Sequence, residues 1–274
     1  MKQVIQNLLV IAAIGVVTFG LAAGAKVVLG HRVISNTETI YVRNLAPQYI
    51  SNATIKNDIP AWEAAANKDF SPFWHSTPVK IKFIGNDDAP SGAMVATFVK
   101  SGPVKGALAY HSVTRGAPSI TVYAGTDDYY GYSNSVSFTH ELFELLADPT
   151  ISIANQGWPS TSVVLMPQYK QIPQTPGTVW INEVSDPVEA YHYSRKGANG
   201  RPVAISDFIT PNWFNDEVNG SFDFMRLVQQ PFVILKGGYA QYWDPFLGWQ
   251  AIGNFRSAGR DADGFLKGEQ AEVR

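Results

Sequence analysis

The chain contains no cysteine. That one absence removes disulfide cross-links, thiolate nucleophiles and thiolate metal ligands, so any metal site must be built from His, Asp, Glu and water. Charge is sparse too. Charged residues are 16% of the 274, and their formal balance is −2. There is no run of Lys and Arg, and the five histidines are scattered, so the sequence carries no field suited to nucleic acid or anionic lipid. No internal repeat or low-complexity tract breaks the chain. Hydrophobic residues make up 45%, which excludes a disordered protein and leaves one large domain or two small ones with a buried core.

Against that background, the amino terminus stands out. Leu8 to Ala25 is a stretch of eighteen residues without a charge, preceded by Lys2 and followed by Lys26, His31 and Arg32. Its length lies at the lower edge for a membrane-spanning helix. Ala23-Gly24-Ala25 offers the small-x-small pattern of a secretory cleavage site. Residues 1–30 therefore read as a signal peptide or signal anchor, and the protein as exported, either secreted or held at the envelope membrane by an uncleaved segment.

Residues 31–53 read as a polar connector and 54–255 as the folded domain, in two parts, 54–149 and 150–255. The charged, Gly-rich stretch 256–274 reads as a frayed tail. Ile55, Ile59, Trp62, Ala65, Ala66 and Phe70 recur at helical spacing, which predicts a helix over Thr54–Phe70. Pro60 argues that its regular part begins only at Asp58. Val79–Ile84, Met94–Val99, Ala107–Val113 and Ile120–Ala124 read as strands between turn residues. A helix over Val136–Ala147 follows, capped by Asn134 or Ser135 and stopped by Asp148-Pro149. The segment Ile151–Val179, with four prolines, reads as a surface excursion. Aromatic runs beyond it read as short strands and turns that fill the core. The class implied is α+β, a mixed sheet packed on a backing helix and a second helix that carries the chemistry.

That second helix contains His140-Glu141-Leu142-Phe143-Glu144. Residues four apart on a helix project from one face, with Cβ atoms about 5–6 Å apart, so His140 and Glu144 can clasp one metal ion. Glu141 lies about 100° further round, where its carboxylate can take a proton from water bound to that metal. Downstream, Glu183, Asp186 and Glu189 repeat an acid–x–x–acid spacing. Six carboxylates (Glu141, Glu144, Asp148, Glu183, Asp186 and Glu189) and one imidazole cannot gather unpaired in a partly buried site. Either carboxyl pKa values rise or a cation sits among them.

His140–Pro149 resembles the active helix of thermolysin-like zinc peptidases (gluzincins), with Glu144 where those enzymes carry a second histidine. Asn182-Glu183-Val184-Ser185-Asp186 resembles their downstream NExxSD-type segment. A group of bacterial and phage zincin-like proteins is closer still. It is matched by Asp69-Phe70-Ser71-Pro72-Phe73-Trp74, Gly106–His111, Thr139–Pro149, Asn182–Glu189, Ser206–Phe214 and Gly237-Gly238-Tyr239. The resemblance spans roughly residues 54–252 and implies a zincin-like fold. It implies His140, Glu144 and Glu183 as metal ligands and Glu141 as general base. Asp148 and Asp186 become outer carboxylates that orient the ligands. His111 or His192 is the possible oxyanion donor.

Two glutamates and one imidazole leave a divalent ion near zero site charge, a weaker Lewis acid than the two-histidine site. Zn2+ is the expected ion, with Mn2+ or Ca2+ as alternatives suited to harder oxygen ligands. The function expected is that of an exported metallopeptidase acting on a peptide or protein substrate. The alternative is a non-catalytic protein on a zincin scaffold, with a structural metal and an envelope or virion-associated binding role.

Overall fold

The computed structural model describes residues 37–103, 107–114, 116–151, 154–156, 178–215 and 220–253. The expected signal segment, most of the Ile151–Val179 excursion and the tail 256–274 lie outside them. Among the described residues, no helix is long and apolar enough to cross a membrane.

The protein is mixed α+β. Its main sheet has the order β2-β1-β3-β5-β4, formed by β1 (Glu38–Asn44), β2 (Val79–Gly85), β3 (Met94–Val99), β4 (Ala109–Thr114) and β5 (Ala117–Tyr123). β2, β1, β3 and β5 run parallel, and β4 closes one edge antiparallel to β5. The stretch expected as a connector is thus corrected. β1 lies inside the sheet, flanked by β2 and β3, and the domain begins near Glu38 rather than at 54. The cause is readable in hindsight, since Ile40 and Val42 alternate with polar residues and are buried, the period-two pattern of a strand.

α1 (Asn52–Ala64) begins earlier than Pro60 suggested. Ser51 caps it by accepting a hydrogen bond from the Thr54 amide at 3.0 Å, and Ile55 in its first turn is fully buried. The cap and this burial hold the turns ahead of the proline in place. The helix then widens into a π-helical turn at Ala65–Phe70, where the Ser71 amide bonds back to the Ala66 carbonyl, before resuming as α2 (Ser71–Trp74). The π turn leaves both Asp69 and Phe70 buried. Asp69 accepts from Tyr193 Oη at 2.8 Å and from Arg195 Nε at 2.7 Å. Both donors lie on the hairpin of β8 (His192–Lys196) and β9 (Pro202–Ser206). A smaller sheet combines β6 (Ala154–Gln156), β7 (Val179–Ile181), β10 (Tyr239–Asp244) and β11 (Gly248–Gly253) in the order β11-β10-β7-β6.

α3 (Ala124–Tyr130) leads into α4 (Asn134–Ala147), which packs on β4, β5 and β9. Ser133, one residue ahead of the expected caps, is the N-cap residue and makes no side-chain cap bond. α4 is buried on nearly every side. Phe138, Leu142 and Phe143 are fully inside, and Phe143 stacks on Phe70 and meets Phe208 edge to face, with ring centroids 4.9 Å from each. Ser135 accepts from Trp62 Nε1 at 2.7 Å and donates to the Ala204 carbonyl at 2.6 Å, and Thr139 accepts from the Ser206 amide at 2.9 Å. These side chains pin α4 to α1 and β9 at fixed rotation. One core cluster includes residues on both sides of the expected internal boundary near 150.

Asp127 of α3 is fully buried. Its Oδ1 accepts from Ser137 Oγ at 2.8 Å, while Oδ2 has no hydrogen-bond partner among the described residues. Burial pushes its pKa from 3.8 to about 8 against the opposing effect of the Ser137 bond. The native state therefore keeps a proton that the unfolded chain gives up at its ordinary value. Stability falls as pH rises between those two values and levels off above them. Asp127→Asn copies the shape of the neutral acid. In thermal melts its advantage over the wild type should grow steadily from about pH 4.5 to about pH 9. An advantage that is flat with pH would mean that this carboxyl is already ionised in the fold.

Candidate metal centre

α4 presents His140, Glu141 and Glu144 toward the edge strand β4 and toward the loop and 3-10 turn that follow β7, with the turn at Asp186–Val188. Two contacts hold the loop against α4, the Ser185 amide donating to Glu144 Oε1 at 3.2 Å and Ser185 Oγ donating to the His140 carbonyl at 3.3 Å. A third, from the Ile209 amide to the Val184 carbonyl at 2.7 Å, ties the loop to the segment after β9. A solvated helix face would leave Glu141 and Glu144 in water. Here they are 7% and 2% exposed.

Two groups of potential ligand atoms result, each lying within 4.8 Å: His140, Glu144 and Asp186, and His111, Glu141 and Glu144. In the first, His140 Nε2 is 3.2 Å from Glu144 Oε1 and 3.2 Å from Asp186 Oδ1. In the second, His111 Nδ1 is 2.9 Å from Glu141 Oε2 and 3.5 Å from Glu144 Oε2. Four ligands at about 2.1 Å around a tetrahedral ion stand about 3.4 Å apart. The imidazole–carboxylate distances of both groups are close to that spacing.

The expected residues divide as follows. His140, Glu141 and Glu144 are brought together. Asp186, read from the resemblance as an outer carboxylate, stands directly against His140. Glu183, read there as a ligand, belongs to neither group and instead faces His111 Nε2 with Oε2 at 3.8 Å. Glu183 precedes the 3-10 turn on open loop, whereas Asp186 begins the turn, directly after the Ser185 contacts with α4. Asp148 ends α4 as a buried residue that accepts from Thr150 Oγ1 at 3.4 Å, and it joins neither group. His192 lies at the start of β8 opposite Ser206, also outside both. His111 is in the site, carried there by the edge strand.

Two further residues, given no role in the sequence reading, join the surroundings of the site. Tyr239 hydrogen-bonds Asp186, and only its place in the Gly-Gly-Tyr segment singled it out. Glu189 lies close enough to feel the charges of His140, Asp186, Glu144 and Glu141, and its Oε2 is buried with no hydrogen-bond partner among the described residues.

Proton affinities follow from this crowding. Burial alone would depress His111, but the Glu141 and Glu144 hydrogen bonds and the Glu183 charge carry it up to about 12. His140 is likewise lifted well above its ordinary value against burial, by Glu144 and Asp186. Glu144 is held below the usual carboxylate range because His140 and His111 outweigh the cost of burial. The remaining acids go the other way. Burial and then the Glu144 charge raise Glu183 well above its ordinary value and bring Asp186 to about 7. Burial first, with Asp186, Glu144 and Glu141 adding to it, takes Glu189 to about 8. In the absence of a metal, protons thus supply the positive charge that this cluster needs.

The turn is backed by the start of β10. A Cβ on Gly238 would lie 2.4 Å from the Pro187 carbonyl oxygen and 2.7 Å from that of Asp186. Gly238→Ala should therefore displace the turn and cost about 1–3 kcal/mol, as overpacking does elsewhere. Calorimetry of the variant checks this, and an unchanged melting temperature would contradict the packing. Comparison of the chain with known families, curated proteins and solved structures finds no match.

Proposed function

We propose that the protein is a metal-dependent hydrolase of zincin type that cleaves peptide bonds. The observation that carries this reading is the His140–Glu144–Asp186 group, with both carboxylates 3.2 Å from His140 Nε2 and the Glu141–His111 pair hydrogen-bonded beside it. The mixed sheet with α4 laid against its edge supports the zincin-type arrangement. The charge-free run Leu8–Ala25 supports export, as a secreted or membrane-anchored protein.

The residues that would hold the ion are His140, Glu144 and Asp186. A divalent cation there supplies Lewis acidity, which acidifies water and polarises a carbonyl. Glu141 is the base that takes the proton of the attacking water and returns it to the departing amine. His111, oriented by Glu141 and Glu183, is the donor for charge that develops on the carbonyl oxygen. Among the described residues β4 pairs only with β5. Its outer edge can pair with an extended backbone and lay it along the site, the general reason for a peptide substrate. Access is on the side of Glu183, whose side chain stays 20% exposed.

Near-complete burial of Glu144 and Asp186, at 3% and 4% of their side chains, favours a second reading. In it the ion is structural and the protein is an envelope or virion-associated binding component.

Glu141→Gln distinguishes the two. In the hydrolase it should abolish cleavage of a broad peptide library while the folded protein still carries metal at the His140 group. Wild-type protein that holds metal yet cleaves nothing in that library would leave the structural reading.

Loading should also release protons, because ligands bind metal deprotonated. Burial and the Glu144 charge bring Asp186 to about 7, and His140 is held well above its ordinary value, so Zn2+ affinity should climb as pH rises through neutrality. Calorimetry in buffers of different ionisation heat counts the protons. Binding heats that do not depend on the buffer would contradict the assignment of the ligands.

A further inference from the structure

The two groups of ligand atoms share one residue, and they share it by different atoms. Glu144 turns Oε1 toward His140 Nε2 at 3.2 Å and Oε2 toward His111 Nδ1 at 3.5 Å. Each imidazole brings a further carboxylate oxygen of its own, Asp186 Oδ1 at 3.2 Å from His140 and Glu141 Oε2 at 2.9 Å from His111. One ion accounts for one such set and leaves the other imidazole facing carboxylates with no cation between them.

We propose that the site is a dinuclear centre for two divalent cations bridged by the Glu144 carboxylate, the first on His140, Glu144 Oε1 and Asp186, the second on His111, Glu144 Oε2 and Glu141. This rests on the metal-site reading above and deepens it, with His111 serving as ligand to the second ion in place of the oxyanion donor.

Three features agree. Metal-bound imidazoles and carboxylates are commonly steadied by a polar group behind them. Here Glu183 Oε2 stands 3.8 Å behind His111 on the ring nitrogen turned away from Glu141 and Glu144, and Tyr239 hydrogen-bonds Asp186. Glu189 adds a buried carboxylate oxygen that no hydrogen-bond donor among the described residues satisfies. It lies beside the first set, where a cation would meet a need that the protein leaves open. Formal charge points the same way. Glu141, Glu144, Glu183, Asp186 and Glu189 are five acids around neutral imidazoles, and two divalent ions bring that set to within about one charge of balance, whereas one leaves about three negative charges.

Each set is one nitrogen with oxygens, a donor mixture that accepts Mn2+ as well as Zn2+. Glu141 would bind through Oε2 and keep its other oxygen for the proton it moves in hydrolysis. Carboxylate-bridged ions in two-metal hydrolases lie about 3.5–4 Å apart, which places a single water within reach of both.

The test needs no substrate. Full-length protein stripped of metal is titrated with Mn2+ alone, desalted, and read by elemental mass spectrometry and electron paramagnetic resonance. The expected result is two Mn2+ per chain with an exchange-coupled signal. His111→Gln should lower this to one ion with an uncoupled spectrum, at an unchanged fold by circular dichroism. Should that variant fail to fold, the wild-type stoichiometry and coupling decide alone. One uncoupled ion at saturation in the wild type overturns the pair while leaving the single-ion reading intact. No bound ion overturns both. Two ions without coupling, or two that persist in a folded His111→Gln protein, place the second ion elsewhere and overturn the bridge.

Discussion

The Glu144 carboxylate faces His140 with one oxygen and His111 with the other, in a pocket that leaves its side chain only 3% exposed. A charge so placed has no water to rely on, and its stability depends on cationic or hydrogen-bonding partners held at fixed distance. Those partners come from three parts of the chain distant in sequence. β4 brings His111, α4 brings His140, and the loop after β7 brings the Ser185 amide. The order of the sheet, the rotation of α4 about its axis and the path of the loop are all constrained by this one carboxylate.

The second half of the chain supplies the rigidity that this arrangement needs. Trp180 packs against Trp213, Phe232 and Tyr242 at centroid distances of 5.0 to 5.6 Å, just ahead of the loop that carries Glu183 and Asp186. Phe208 meets Phe70 and Phe143, joining the C-terminal part to the flank of α4 beside the cluster. The Leu235 amide donates to the Pro187 carbonyl at 2.9 Å, and Gly238 lets the chain pass close over the same turn. Loop-rich segments are usually the soft parts of a protein. This one is clamped from both sides.

Local pattern made much of this legible from sequence. The spacing of His140 and Glu144, the apolar residues of α4, and the strands at 79–84 and 94–99 all follow periods that a single element imposes on itself. What stayed hidden depended on partners. β1 was masked by its polar flanks, and its burial is set by the two strands on either side. His111 looked like any lone histidine until the edge strand set it 2.9 Å from Glu141. The order of Glu183 and Asp186 around the site was not readable from their spacing, because a 3-10 turn held by Ser185 decides which of them points at His140. Pro60 misled for a similar reason. A strong cap and a buried Ile55 keep α1 helical well before the proline.

The π-helical turn at Ala65–Phe70 has a consequence for how this protein can change over evolutionary time. Such turns hold more residues than an α-helical turn and are uncommon. Here the widened turn lets two neighbouring side chains face inward together, with Phe70 on the aromatic stack and Asp69 on the Arg195 and Tyr193 donors of the β8–β9 hairpin. Removal of one residue would restore ordinary helical winding and swing Asp69 roughly 100° away from that hairpin. The hairpin is the same one that fixes α4 through Ser135 and Thr139. Length in this segment is therefore coupled to the cluster through β8 and β9. Descendants of this sequence can exchange side chains along α1 more freely than they can gain or lose a residue in it.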